Sequence, residues 1–392
     1  MEPKFGETKQ EGIVKKKEDI IGIPQLSTAL SSIPLSSLTP VLVKSFGDRS
    51  KGISPHDVFS DYNVKNHFYG PSSLDQRHIH KFSGFFYDVL PENFRAVEIS
   101  PIAPFGLNSS VTKLSQDLVL TSIRGNEVQG DSTTALSLEA AKIRRNMVIV
   151  PDNKDSTIRL ATIARVLRMQ PFDVSKGYTQ HFGLFGLCSA GRDKEGLLFS
   201  EQAIPEHVSV WLDLVSRLED SGSFEFYDME VRITDISILE KMIKDLNLPR
   251  EIINRHSLDA DWNMFKELGI YLPEQVESLS EISQEMLRKY TINYSVLDLL
   301  RFESVVLVAL REKYPRVKFT IGLNRKAGLG YYENFCFHIF AKNKDGQTVQ
   351  LSDGGSVDWV GKLLNGKKER CVTSGFGSEL VQKLFSKQLS NT

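Results

Sequence analysis

The chain has 392 residues, 41% of them hydrophobic, and 48 Lys+Arg stand against 49 Asp+Glu for a formal net charge of -1. These values describe an ordinary globular protein of one large domain or two and give no compositional basis for wrapping nucleic acid. No apolar run is long enough to span a bilayer, Met1 to Asp19 is charged where a signal segment is apolar, and Cys188, Cys336 and Cys371 are too scattered for a disulfide framework or a zinc site, so a cytoplasmic protein is expected.

Residues 1–51 mix a lysine run, Lys15-Lys16-Lys17, with a Ser/Pro/Leu stretch from Pro24 to Pro40, and neither has sustained helical or strand periodicity. The expectation is a flexible tail or arm with its lysines solvated, ahead of a core over 52–392. From Ser73 to Leu90, the residues Leu74, Ile79, Phe82, Phe85, Phe86 and Val89 recur at helical spacing, and Pro91 ends the helix. Phe94 to Ile99 reads as a strand stopped by Pro101 and Pro104, and Leu118 to Ile123 as another. Asp131, Ser132 and Thr133 are N-cap types that open a helix running through Ala135 to Arg145. Thr157 to Met169 is strand-like, a loop follows at 173–177, and Tyr178 to Cys188 returns as a strand. From about 205 to 319 helices alternate with short strands, and the chain holds no internal repeat, P-loop, zinc spacing or nucleophile elbow. His256 with Asp259 and Asp261 reads as a polar loop, and no metal is expected.

The stretch from Ala327 to Ala341 joins a glycine-rich turn to an unusually apolar strand. Gly328 and Gly330 remove side chains where backbone bends or a ligand approaches, and Tyr331 and Tyr332 offer flat faces that end in hydroxyls. Phe335 to Phe340 reads as a strand apolar on both faces, deep in a sheet. Taken alone, the stretch reads as a tight hairpin or bulge whose tyrosines fill core. Two more glycine elements follow: Asp353-Gly354-Gly355-Ser356-Val357-Asp358, and Ser374-Gly375-Phe376-Gly377-Ser378-Glu379 at the head of an apolar segment.

In this order the three elements resemble the C-terminal half of the catalytic domain of histidyl-tRNA synthetase and of its non-aminoacylating relative, the regulatory subunit of ATP phosphoribosyltransferase. The resemblance covers roughly Leu74 to Lys383 and implies an α+β fold: a class II synthetase-like antiparallel sheet flanked by helices, with a helical insertion at about 205–319. It implies a Gly-Gly-x-x-Asp turn at Gly354-Gly355, and that Gly328, Gly330, Gly354, Gly355, Gly375 and Gly377 line an amino-acid and ATP pocket. Asp131 and Thr133 match the acid and threonine that hold the substrate α-amino group in that family, with Tyr331 and Tyr332 at the same site. Arg168, or alternatively Arg165, resembles the arginine of the second class II motif, whose planar fork grips the ATP α-phosphate. Glu379 matches the acid of the third motif on the ATP side. Helix, strand and proline over 73–104 resemble the first motif, which implies a homodimer.

Departures from the family pattern bear on activity. Ala327 stands where the family has the arginine that activates the carboxylate, Gly330 where it has an aspartate, and Leu380 where the third motif has the arginine that neutralises the γ-phosphate. Gln129-Gly130 replaces an Arg-Pro, Gln170 replaces a glutamate, and Leu184 and Cys188 replace polar amino-acid contacts, while His181 reads as structural. Losing both arginines removes electrostatic stabilisation that adenylate formation depends on. Only Phe385 to Thr392 follows the third motif, so neither an anticodon-binding domain nor anticodon recognition is expected. The expected function is a synthetase paralogue that binds an amino acid, a nucleotide or both, of the regulatory-subunit type, partnered by a short-form ATP phosphoribosyltransferase catalytic subunit. The alternatives are an adenylate-forming ligase that uses ATP with Mg²⁺ and a non-standard amino acid or acceptor, and a degenerate interaction scaffold.

Overall fold

The computed structural model describes residues 7–149, 153–170, 172, 178–193, 196–257, 259 and 262–387. They fall into two units, one of Met1–Gly70 with Thr121–Glu127, the other of Pro71–Leu120 with Val128–Thr392.

The smaller unit corrects the expected arm, because its chain is helical and it extends past residue 51. Its helices are α1 (Glu7–Ile21), α2 (Leu26–Ser32), α3 (Leu35–Ser50), α4 (Pro55–Val64) and α5 (Asn66–Tyr69). Local side-chain hydrogen bonds start two of them, α2 and α4. Ser54 and Asp57 form a reciprocal capping box before α4 with Pro55 in its first turn, and the Glu18 carboxylate accepts from the Ser27 amide and hydroxyl across the α1–α2 turn. No residue of α2 to α5 is buried, which is why no apolar face repeats in their sequence.

The larger unit is built on nine strands: β1 (Arg95–Ala96), β4 (Ile158–Leu167), β5 (His181–Arg192), β6 (Tyr227–Asp235), β7 (Gln275–Val276), β8 (Lys318–Gly322), β9 (Phe335–Lys342), β10 (Thr348–Val357) and β11 (Glu369–Phe376). Short strands β2 (Ile102–Pro104) and β3 (Asn126–Val128) stand outside this sheet. Its order is β1-β4-β5-β11-β10-β9-β6-β8-β7, antiparallel except at β1–β4 and β6–β8. The strand expected over 94–99 shrinks to two residues. That expected over 118–123 keeps only the Thr121–Glu127 bridge.

Two helical layers cover the sheet. On one face α6 (Gln76–Val89) and α8 (Leu198–Asp220) bury the rings Phe86, Phe185, Trp211 and Phe376, with Trp211 5.3 Å from Phe376 and 5.6 Å from Phe86. Each ring of this size buries a large apolar area. The other face carries α7 (Ser132–Ile149) and α15 (Trp359–Leu364) over Cys188, Cys336 and Cys371. α16 (Ser378–Phe385) closes the chain beside β5. Within 205–319, α8 and β6 contribute to the core, and α9 (Ile236–Asp245), α10 (Arg250–Arg255), α11 (Met264–Glu267), α12 (Gln284–Lys289), α13 (Leu297–Phe302) and α14 (Val308–Lys313) lie between β6 and β8.

The Gly354-Gly355 pair, expected in a turn, lies inside β10. A β-carbon on Gly354 would come within 2.4 Å of Ser374 Cβ, and one on Gly355 within 2.5 Å of Cys336 Cβ. These glycines let three central strands approach, and neither lines the cavity described below.

Candidate functional site

Strand register builds the floor of one cavity. Residues opposed across antiparallel strands share a face, and the row His338–Asp353–Gly375–Gly186 runs across β9, β10, β11 and β5. Gly375 leaves a gap in that row, because a β-carbon there would meet only the Leu184 side chain and Phe185 carbonyl at ordinary distance. Above it opens a cavity of about 630 Å³. The start of α7, the end of β4, the start of β5, the turn at 327–332 and the start of α16 all contribute to its wall.

Asp131 and Thr133 enter from the α7 start. Asp131 Oδ1 accepts from the Thr133 amide at 2.8 Å and its hydroxyl at 2.7 Å, while Oδ2 faces Arg168 Nη2 at 3.4 Å. Arg168 also donates through Nε to the Gly130 carbonyl at 2.8 Å and lies over the Phe182 ring at 5.3 Å. Glu379 is almost fully buried. It accepts from Ser72 Oγ at 2.5 Å, Gly183 N at 2.9 Å and Arg165 Nη2 at 2.8 Å, with Lys383 Nζ at 3.3 Å. Burial would raise its pKa, but the Ser72 and Gly183 donors, then Arg165 and Lys383, hold it below the usual range.

The turn at 327–332 has Gly328 at φ 91° and Gly330 at φ 78°, in the left-handed region that favours glycine. It folds Tyr331 edge-on between Tyr332, at 4.8 Å, and Trp359, at 5.0 Å. Tyr332 donates its hydroxyl to Asp353 Oδ1 at 2.9 Å, and Arg325 Nη2 donates to the same oxygen at 2.8 Å. Arg325 is nearly buried, with Nε on the Ala327 carbonyl at 2.9 Å and its guanidinium 4.9 Å from the Tyr332 ring centre. Burial opposes ionisation of Asp353, yet Arg325 and then His338 hold its carboxyl well below the ordinary range. Burial, reinforced by Asp131 for Tyr331 and by Asp353 for Tyr332, keeps both phenols far above theirs.

No protein-family model and no curated protein sequence matches this chain. Solved structures do match in fold. An ATP phosphoribosyltransferase regulatory subunit/histidyl-tRNA synthetase from Bacillus halodurans superposes with a TM-score of 0.54 at 15% identity, over 80% of this chain and 81% of that one. Histidyl-tRNA synthetase from Nostoc gives 0.54 at 16% identity over 80% and 73%. A histidine–tRNA ligase subunit from Alicyclobacillus acidocaldarius gives 0.56 at 13% identity over 80% and 94%. This chain has the class II synthetase-like fold.

Within that class II synthetase-like core, Asp131, Thr133, Arg168, Tyr331, Tyr332, Glu379, Gly328, Gly330, Gly375 and Gly377 all line the one cavity, while Gly354 and Gly355 do not. Arg165, the alternative ATP arginine, is not on the wall and clasps Glu379. The loop at 173–177 and Asp261 lie outside the described residues. Asp259 accepts from the His256 ring at 3.2 Å, and no group of three or more metal-ligating side chains forms among the described residues. No described helix is long and apolar enough to cross a membrane. Asp353 on the cavity wall and Arg325 behind it form an ion pair that the sequence does not announce. Asp353 lies in mid-strand in β10 between Ser352 and Gly354, and Arg325 follows β8 in the segment Asn324-Arg325-Lys326, so neither stands out locally.

Below the floor, His207 is buried between Ser189 Oγ, at 2.9 Å from Nε2, and Ser374 Oγ, at 2.9 Å from Nδ1, and Trp211 Nε1 donates to Ser374 at 2.9 Å. Burial, then the nearby Arg159 charge, pushes this imidazole down to about 3. An unfolded chain takes up that proton near pH 6.5 and the folded chain only near 3, so His207 removes stability as pH falls between these values. Asp235, raised by burial to about 6, works in the opposite sense below that pH. The difference between the parent and His207→Asn therefore isolates the histidine. In denaturant titrations from pH 7 to 4, the parent should lose up to about 1.4 kcal/mol per pH unit more than the variant. Parallel curves would refute the assignment.

Proposed function

We propose that this chain is a non-aminoacylating paralogue within the class II synthetase-like fold that binds a free amino acid, of the ATP phosphoribosyltransferase regulatory-subunit type. The observation that carries this reading is the pairing of Arg168 and Lys383, two of the three cations on the cavity wall, where Lys113 is the third. Arg168 faces Asp131, Lys383 faces Glu379, and Leu380 fills the wall beside them. Activating an amino acid on ATP needs positive charge that is free to follow the developing phosphate charge. An ion pair offers little of it. A zwitterion suits the same pair well: Asp131 Oδ2 takes the α-ammonium group and Arg168 the α-carboxylate. One of the structures similar in fold is named as a regulatory subunit, which supports the choice of type. A homodimer and a short-form ATP phosphoribosyltransferase catalytic subunit are the assemblies that accompany this reading.

The test is amino-acid-dependent exchange of pyrophosphate into ATP in the presence of Mg²⁺. No amino acid should support exchange. Exchange with one amino acid, lost in Arg168→Ala, would replace the sensor with an adenylate-forming ligase.

A further inference from the structure

Asp353 is a third carboxylate on the cavity wall, beside Asp131 and Glu379, and its hydrogen bonding is lopsided. Oδ1 accepts from both Arg325 and Tyr332, whereas Oδ2 has only the His338 ring nitrogen, at 3.5 Å. An ionised carboxylate accepts about four hydrogen bonds, and 3.5 Å is too long for a good one. His338 cannot supply a second charge readily, since burial and then Arg325 lower its pKa. The Asp353 side chain is 37% exposed, into the cavity it lines, while its partner Arg325 is 5% exposed and turned onto the Ala327 carbonyl. A ligand in the cavity therefore meets the oxygen and not the guanidinium. Asp131, Asp353 and Tyr331 all line this cavity. Gly375, Leu184, Leu329 and Leu351 line the same space and suit methylene groups.

We propose that the cavity takes a basic amino acid, with its α-ammonium group on Asp131 and its side-chain nitrogen on Asp353 Oδ2. This rests on the amino-acid reading given above and adds the chemical class of the side chain. An aliphatic side chain in the same place would strip water from Oδ2 and return no donor, whereas an ammonium group supplies a charge-assisted hydrogen bond.

The experiment is calorimetric titration of the full chain with L-lysine, L-ornithine and L-norleucine, the last having an aliphatic chain of similar length and no side-chain nitrogen. Lysine or ornithine should bind at least about tenfold more tightly than norleucine. Asp353→Asn alone leaves Arg325 buried without its anion, so the decisive variant is Arg325→Met/Asp353→Asn. In it, lysine and ornithine should fall to the norleucine level and norleucine should be unchanged. Norleucine binding as tightly as both in the parent, with all three lost in Asp131→Ala, overturns the Asp353 subsite and leaves the amino-acid reading intact. Failure of all three to bind overturns the basic-amino-acid proposal, and failure of each of the twenty amino acids to bind in the same titration overturns the amino-acid reading as well.

Discussion

Arg144→Met should lower the free energy of unfolding by about 3–5 kcal/mol, the range for breaking a buried ion pair from one side. Arg144 is fully buried. Its Nε donates to Glu369 Oε2 at 2.8 Å, Nη2 to Oε1 at 3.0 Å, and the remaining donors reach the Ser156 and Lys154 carbonyls at 2.7 and 2.8 Å. One guanidinium thus ties α7 to β11 and to the approach to β4. Removing it strands the Glu369 carboxylate, which is only 8% exposed. The loss comes mainly from that orphaned charge, so Arg144→Met/Glu369→Leu should recover much of the stability. Because α7 begins at the cavity with Asp131 and Thr133, the single variant should also weaken ligand binding. Denaturant titration decides the matter, and a loss below about 1 kcal/mol in the single variant would mean that the pair is not a clamp.

Gly355→Ala should cost about 3 kcal/mol or more, at the upper end for overpacking. Its new β-carbon would lie 2.5 Å from Cys336 Cβ, 2.7 Å from Cys336 Cα and 2.8 Å from the Phe335 carbonyl. Two of those atoms are backbone, so no rotamer change relieves the clash and β10 would have to move away from β9 in mid-sheet. Gly375→Ala is the matching contrast. It meets nothing closer than Leu184 at 3.6 Å, and its melting temperature should stay near that of the parent. Equal stability of both variants would contradict the packing described here.

Some of the fold was legible because its signals are local. Phe82, Phe85 and Phe86 repeat at helical spacing and do form the buried face of α6, and the run from Phe335 to Phe340 is a buried strand in β9. The helices of residues 7–69 were not legible, since a helix that buries nothing carries no apolar period. Prolines stand at helix starts there, with Pro34 before α3 and Pro55 in the first turn of α4. Gly354-Gly355 read as a turn because what requires glycine is the presence of Phe337, Ser374 and Cys336 on neighbouring strands. Asp131, Thr133, Arg168 and the two tyrosines, singled out in the sequence, line one cavity. Its electrostatics were not legible, since Arg325 meets Asp353 only through tertiary folding across 28 positions.

The most direct test of the central claim is thermal unfolding of the full chain against each of the twenty amino acids, because a ligand that binds the native state raises the midpoint by mass action. The account predicts a concentration-dependent rise with one amino acid or a small related set, abolished in Asp131→Ala. A flat response to all twenty would contradict it and leave an interaction scaffold in the class II synthetase-like fold.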